Sequence, residues 1–182
     1  MTVTIRPWRP EDAPALAAVL DDPGLTENLR DGIPYPYTQE DAKAYIGSVL
    51  SQVPGELFAY AIVVDGELAG SISAERQGNI HHRTAELGYY LGRRWWGQGV
   101  MTRAVDLLCR RVFAGSDVLR IFAEPFARNA ASCRVLEKAE FRYEGTLRCN
   151  AVKNGIVLDM KLYARLRPEL CPEDCPTGCP QK

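Results

Sequence analysis

Arg93-Arg94-Trp95-Trp96-Gly97-Gln98-Gly99 is the stretch on which the fold of this chain turns. It separates two segments of different hydrophobic period. Before it, Thr84 to Leu91 alternates, with Ala85, Leu87, Tyr89 and Leu91 on one side and Glu86, Gly88 and Tyr90 on the other, which is the period of a strand. After it, Met101, Ala104, Val105, Leu108 and Val112 recur at helical spacing and predict a helix over Val100 to Phe113. A glycine-rich turn from a strand into a helix is an anion site on physical grounds. The first amides of a helix lack intrahelical acceptors, and the helix dipole adds partial positive charge there. Glycines keep side chains out of the way of an approaching phosphate. Arg93 and Arg94 bring further positive charge. A turn that uses Gly97 and Gly99 for shape alone has the same sequence. The segment has neither the Lys-Ser/Thr of a P-loop nor the third glycine of a Rossmann turn.

Upstream, Thr2 to Pro7 reads as a strand and Glu11 to Leu20 as a helix that Pro23-Gly24 ends. Asp31 to Tyr37 reads as a loop. Thr38 with Asp41 is capping-box-like, and Ala42, Tyr45, Ile46, Val49, Leu50 and Val53 extend a second helix to Pro54-Gly55. Leu57 to Val64 and Leu68 to Ala74 form a hairpin around Asp65-Gly66. Downstream come a strand at Leu119 to Glu124, a helix at Asn129 to Ala139, and two long strands, Phe141 to Cys149 and Gly155 to Leu166, joined at Asn154-Gly155. Such mixed order means an α/β or α+β domain built on a mixed sheet.

The 182 residues suit one domain. With 46% hydrophobic and 25% charged residues, the composition is that of an ordinary soluble globular protein. The formal net charge of −1 argues against a nucleic-acid partner. No stretch reaches the roughly 18 apolar residues of a membrane span, and Met1 to Pro10 lacks the apolar core of a signal peptide. The expectation is a cytoplasmic protein without a membrane partner, whose Cys109, Cys133 and Cys149 are buried free thiols.

Three groups of residues together resemble one family. Arg94-Trp95-Trp96-Gly97-Gln98-Gly99 resembles the coenzyme A pyrophosphate loop of the GNAT acetyltransferases, and Glu86-Leu87-Gly88-Tyr89-Tyr90-Leu91 resembles the strand that splays to admit the thioester. Asn129-Ala130-Ala131-Ser132, running on to Val135-Leu136-Glu137-Lys138-Ala139 and Phe141, is similar to the signature of the RimJ/RimL branch; so are Glu144-Gly145, Leu147-Arg148, Asn154-Gly155, Asp159 and Tyr163. The resemblance runs from about Thr2 to Leu166 and departs at Glu140, where the family has a glycine suited to a left-handed helix end.

The resemblance implies a single GNAT-like domain over residues 1–167, with a mixed, mostly antiparallel sheet of about six or seven strands and about four flanking helices. It implies acetyl-CoA as co-substrate, no metal, and a primary amine as acceptor, either a protein N-terminus of ribosomal-protein type or a small amine. The assembly would be a monomer or homodimer. The coenzyme would meet Tyr90, Leu91, Arg93, Arg94, Gly97, Gln98, Gly99, Val100, Met101, Thr102, Asn129 and Ser132. An α-amino group (pKa about 8) and a lysine (about 10.4) are mainly protonated at neutral pH, so a base helps. Glu86 is the candidate base, or else a structural carboxylate paired with Arg83 or a neighbouring-strand cation. Ser132 is the candidate partner of the departing sulfur and Asn129 of the pantetheine arm, or else the two belong only to a helix cap. No tyrosine in that helix matches the acid that many GNAT enzymes use. An amide near Tyr90–Leu91 would hold the oxyanion. Tyr35, Tyr37, Trp95, Trp96 and His81-His82 would line the acceptor pocket, or else serve packing. A non-catalytic acyl-CoA-binding or sensing module is the alternative.

The segment 168–182 carries Cys171-Pro172, Cys175-Pro176 and Cys179-Pro180 outside the resemblance. Three evenly spaced thiols suggest metal or redox chemistry, but a zinc site needs a fourth ligand and the prolines bar a helix that would align them. A flexible appendage is the preferred reading.

Overall fold

The computed structural model describes residues 1–168. Cys171, Cys175 and Cys179 therefore lie outside the described residues.

Seven strands form one sheet: β1 (Val3–Pro7), β2 (Leu57–Val64), β3 (Glu67–Arg76), β4 (Thr84–Leu91), β5 (Arg120–Ala123), β6 (Arg142–Lys153) and β7 (Ile156–Leu166). Their spatial order is β1-β2-β3-β4-β5-β7-β6. Every neighbouring pair is antiparallel except β4–β5. Consecutive antiparallel strands need only tight turns, and Asp65-Gly66 and Asn154-Gly155 supply them with positive φ at both residues. The parallel β4–β5 pair requires a crossover, and the connecting segment contains the helix that follows Gly99.

Five helices flank the sheet: α1 (Ala13–Leu20), α2 (Pro23–Thr26), α3 (Gln39–Leu50), α4 (Val100–Gly115) and α5 (Ala130–Lys138). On one face α1 and α3 bury Leu16, Leu20 and Ile46 together with Trp8 and Ala61. On the other, Val105, Leu108 and Val112 of α4 and Leu136 of α5 pack on Ile62, Ile72, Leu87 and Ile121. The apolar stripes read from the sequence are the faces that sandwich the sheet, and burial of this kind contributes most of the folding free energy.

Local chemistry fixes the helix starts. The Thr38 hydroxyl accepts from the Asp41 amide at 3.2 Å, and the Asp41 carboxylate accepts from the Thr38 amide at 2.9 Å, closing the anticipated capping box. Pro23-Gly24 does not simply end α1. Proline is favoured in a first helical turn, and the Asp22 carboxylate accepts from the Gly24 amide at 2.9 Å, so this pair opens the extra one-turn helix α2. α3 stops at Leu50, which leaves Val53 exposed beyond it.

Two positions depart from expectation. Cys149 is exposed, whereas Cys109 and Cys133 are buried. Its register slips between Leu147 and Ala151 of β6, at the edge of the sheet, and the backbone turns to φ +53° with the amide donating to Asp159 Oδ1 at 2.8 Å. Glu140 adopts φ +65° at the end of α5, the conformation that glycine takes without strain. Its carboxylate pairs with Arg165 Nη2 at 2.8 Å. No described helix is long and apolar enough to cross a membrane.

Candidate active site

β4 and β5 part company midway. Their parallel pairing comprises Thr84–Arg120, Ala85–Ile121 and Glu86–Phe122, while β4 runs on to Leu91. The backbone from Leu87 to Leu91 thus keeps β3 as a neighbour on one side and loses β5 on the other. A cavity of about 820 Å³ occupies the opening. Because strand side chains alternate, both sheet faces reach it: Glu86, Gly88 and Tyr90 from the α1/α3 face, and Leu87, Tyr89 and Leu91 from the α4/α5 face.

Gly97, Gly99, Val100, Met101 and Thr102 line one end of this cavity. Gly97 and Gly99 have φ of +74° and +76°, and nothing lies within 4 Å of a Cβ built on either. The glycines therefore serve backbone conformation, and the space beside them is open. Gly99 caps α4 without any side-chain acceptor, so the first-turn amides are left for an outside anion. The flanking arginines are otherwise engaged. Arg93 pairs with Asp22 at 3.3 Å and lies 5.8 Å from the Trp96 ring. Arg94 pairs with Glu67 at 2.6 Å and stacks 4.8 Å from Trp95. Gln98 turns back to donate to the Arg94 carbonyl at 2.7 Å. The positive charge expected from Arg93 and Arg94 is thus already matched by carboxylates, and none of Arg93, Arg94 and Gln98 lines the cavity. Of this turn, the cavity meets Trp95, Trp96, Gly97, Gly99 and the first residues of α4. Trp96 Nε1 donates to the Leu91 carbonyl at 2.7 Å and ties the turn to the strand end.

The N-terminus of α5 meets β4 from the same face. Asn129 Oδ1 accepts from the Ser132 amide at 3.1 Å, so Asn129 is a helix cap; both residues also line the cavity. Ser132 Oγ lies 2.7 Å from the Tyr89 hydroxyl. Burial pushes the Tyr89 phenol up to about 12, so at neutral pH it holds its proton. A tyrosine thus stands beside Ser132 after all, supplied by the strand and not by the helix.

On the opposite face, Glu86 is bound by both terminal guanidinium nitrogens of Arg30, which follows α2. The structural partner expected, Arg83, is elsewhere: its Nε lies 3.4 Å from Asp117 Oδ2. Glu124 follows β5 and lines the same cavity. Burial, then the charge of Glu86, push its carboxyl above the usual range, against the opposing influence of Arg30.

The expected acceptor aromatics divide. Trp95 and Trp96 line the cavity. Tyr37 does not; it is buried in the α1/α3 core, where burial raises its phenol to about 12. Tyr35 is exposed and outside the lining, as are His81 and His82 in the turn before β4. In their place the cavity is walled by Leu25, Leu29, Ile33 and Tyr45. Sequence reading missed Tyr89, Arg30 and Glu124. Tyr89 was legible only as an inward strand residue, and the other two carry no motif. Among the described residues, no three His, Cys, Asp or Glu side chains gather as metal ligands would.

Comparison with known proteins accounts for this arrangement. The domain described as "Acetyltransferase (GNAT) domain" matches residues 2–142. The chain is 38% identical over 105 residues to the Bacillus subtilis protein named probable N-acetyltransferase YjcK, a match spanning 58% of each protein. It is 28% identical over 130 residues to the ribosomal-protein-serine acetyltransferase of Escherichia coli, covering 71% of this chain and 72% of that one. The solved RimL ribosomal-protein acetyltransferase, in complex with coenzyme A, superimposes with a TM-score of 0.82 at 27% identity over 91% of this chain and 94% of that one. A seven-stranded mixed sheet that splays beside a glycine-turned helix start belongs with these matches: the chain is a member of the GNAT acetyltransferase family.

Proposed function

We propose that this protein transfers the acetyl group of acetyl-CoA to a primary amine, either a protein N-terminus or a small molecule, with both substrates bound at once. One observation carries the reading. The cavity crosses the sheet where β4 and β5 separate, with Glu86 on one face and the Tyr89–Ser132 pair on the other. An amine and a thioester can therefore approach one point from opposite sides.

Each group has a task in that geometry. The first-turn amides of α4 hold the diphosphate of the coenzyme, which the open space beside Gly97 and Gly99 admits. Acetyl-CoA supplies an activated acyl carbon. Glu86, directly or through water, takes a proton from the incoming ammonium, so that a neutral nitrogen forms the new C–N bond and then sheds its second proton to water as the amide forms. An amide at the free edge of β4 near Tyr90–Leu91 donates to the carbonyl oxygen as charge develops on it. Ser132 delivers a proton to the sulfur as the C–S bond breaks, and Tyr89, protonated and in contact with Ser132, resupplies it. Asn129 holds the α5 turn that presents Ser132.

The test is an acceptor screen that follows thiol release from acetyl-CoA, using N-terminal peptides, amino acids, polyamines and aminoglycosides. Turnover that falls at least about 100-fold in Glu86→Gln and about 10- to 100-fold in Ser132→Ala, with coenzyme still bound, supports the assignment. Tight coenzyme binding without turnover of any acceptor contradicts it and indicates an acyl-CoA-binding module.

A further inference from the structure

Three carboxylates share one sheet face at the acceptor side of the cavity. Glu75 and Glu86 are direct partners across β3 and β4. Glu124 lies two residues beyond Phe122, the parallel partner of Glu86, and strand alternation returns it to that face. Like charges directly opposite each other weaken a sheet, so the arrangement costs stability unless cations offset it. The fold supplies one: Arg30, bound to Glu86. Glu75 and Glu124 have no ion-pair partner among the described residues, although all three carboxylates line the cavity. Arg134 and Lys138, also at the cavity, belong to α5 on the other face.

Arg30 is poised to leave. Its side chain is 64% exposed, while that of Glu86 is 23% exposed. Its chain neighbour Asp31 is pinned to Lys153 at 2.6 Å, and Lys153 is itself only 12% exposed, so the guanidinium can swing away while the backbone stays. Leu25, Leu29 and Ile33 wall the same chamber with apolar surface. Carboxylates at intervals beside an apolar wall fit a molecule with ammonium groups spaced along methylenes.

We infer that the acceptor is a small linear di- or polyamine, and that Arg30 is a specificity-determining residue whose guanidinium holds the place of one substrate ammonium between Glu86 and Glu124 until substrate displaces it. This deepens the acetyl-transfer reading and rests on it. The reacting nitrogen would sit at Glu86 and a second ammonium at Glu124 and Glu75. An amine with one charge would compete poorly with Arg30.

The experiment compares 1,4-diaminobutane and spermidine with 1-aminobutane, and a peptide beginning Ala-Lys with one beginning Ala-Gln, by thiol release from acetyl-CoA. The inference expects kcat/KM about tenfold or more higher for the diamines than for 1-aminobutane, since the monoamine leaves a carboxylate unmatched. It expects that ratio to approach one in Glu124→Gln, and the diamine KM to fall in Arg30→Ala. Coenzyme A titration of each variant checks that it is folded. Equal use of mono- and diamine overturns the inference, as does a diamine KM that rises in Arg30→Ala. A tenfold preference for the Ala-Lys peptide over every diamine overturns the small-molecule assignment. No thiol release with any amine, coenzyme bound, contradicts acetyl transfer itself.

Discussion

The Tyr89 hydroxyl lies 2.7 Å from Ser132 Oγ, joining the strand that lost its neighbour to the first turn of α5. Two residues 43 positions apart thereby form one hydroxyl pair lining the cavity. If they act as a unit on the leaving thiolate, their effects will not add. Ser132→Ala and Tyr89→Phe should each lower kcat by about 10- to 100-fold with little change in the KM for acetyl-CoA, and the double variant should fall scarcely below the worse single one. Steady-state kinetics of the four proteins decide this; multiplicative losses would separate the two residues.

The same tyrosine predicts alkaline behaviour. Burial raises the Tyr89 and Tyr37 phenols to about 12 from an ordinary value near 10. Between these values the unfolded chain has released protons that the folded chain still holds. The stability these two phenols contribute is therefore fully present below pH 10 and is lost as pH rises toward 12. Urea midpoints measured from pH 8 to 11.5 should fall steeply above pH 10, and less steeply in Tyr89→Phe. A flat profile would mean that these phenols ionise freely in the folded protein.

At the other end of the cavity, Gly99 is required by conformation, not by space. Alanine there meets no atom within 4 Å but must adopt φ +76°. Gly99→Ala should cost about 1 kcal/mol of stability. It should also raise the KM for acetyl-CoA about tenfold or more as the α4 amides turn away from the phosphates. Thermal melts and coenzyme titration together separate the two effects.

Glu140 reverses that logic. It holds φ +65° with a Cβ, and its carboxylate, paired with Arg165, is 76% exposed. Arg165 keeps Asp106 and the Ala139 carbonyl as partners. Glu140→Gly should relieve more strain than the exposed pair returns and stabilise the protein by about 0.5–1 kcal/mol. A lower melting temperature in this variant would show that the ion pair outweighs the backbone cost.

Much of the fold was legible because single segments carried it. Leu57–Val64 and Thr84–Leu91 have the bounds that alternation and turn residues imply, and Thr38 with Asp41 closes the box their spacing suggested. Glycines flanked by a strand and an amphipathic helix marked the turn that opens on the cavity. What escaped was tertiary. Strand period put Tyr89 on a face but could not say that α5 would set Ser132 against it. Arg30 comes from a loop 56 residues before Glu86, and no local pattern links them. The aromatic pair Tyr35 and Tyr37 looked like a pocket, yet Tyr37 packs in the α1/α3 core and Tyr35 stays outside the cavity. Cys149 read as buried because alternation alone does not reveal an edge-strand bulge.

The central claim is that unpaired amides at the start of α4 grip the diphosphate of coenzyme A and so aim a thioester at β4. Calorimetric titration of the full chain with acetyl-CoA and with pantetheine, which lacks the diphosphate, tests it most directly. The account predicts saturable binding of acetyl-CoA and affinity for pantetheine at least about 100-fold weaker. No binding of acetyl-CoA, or equal binding of the two, would contradict it.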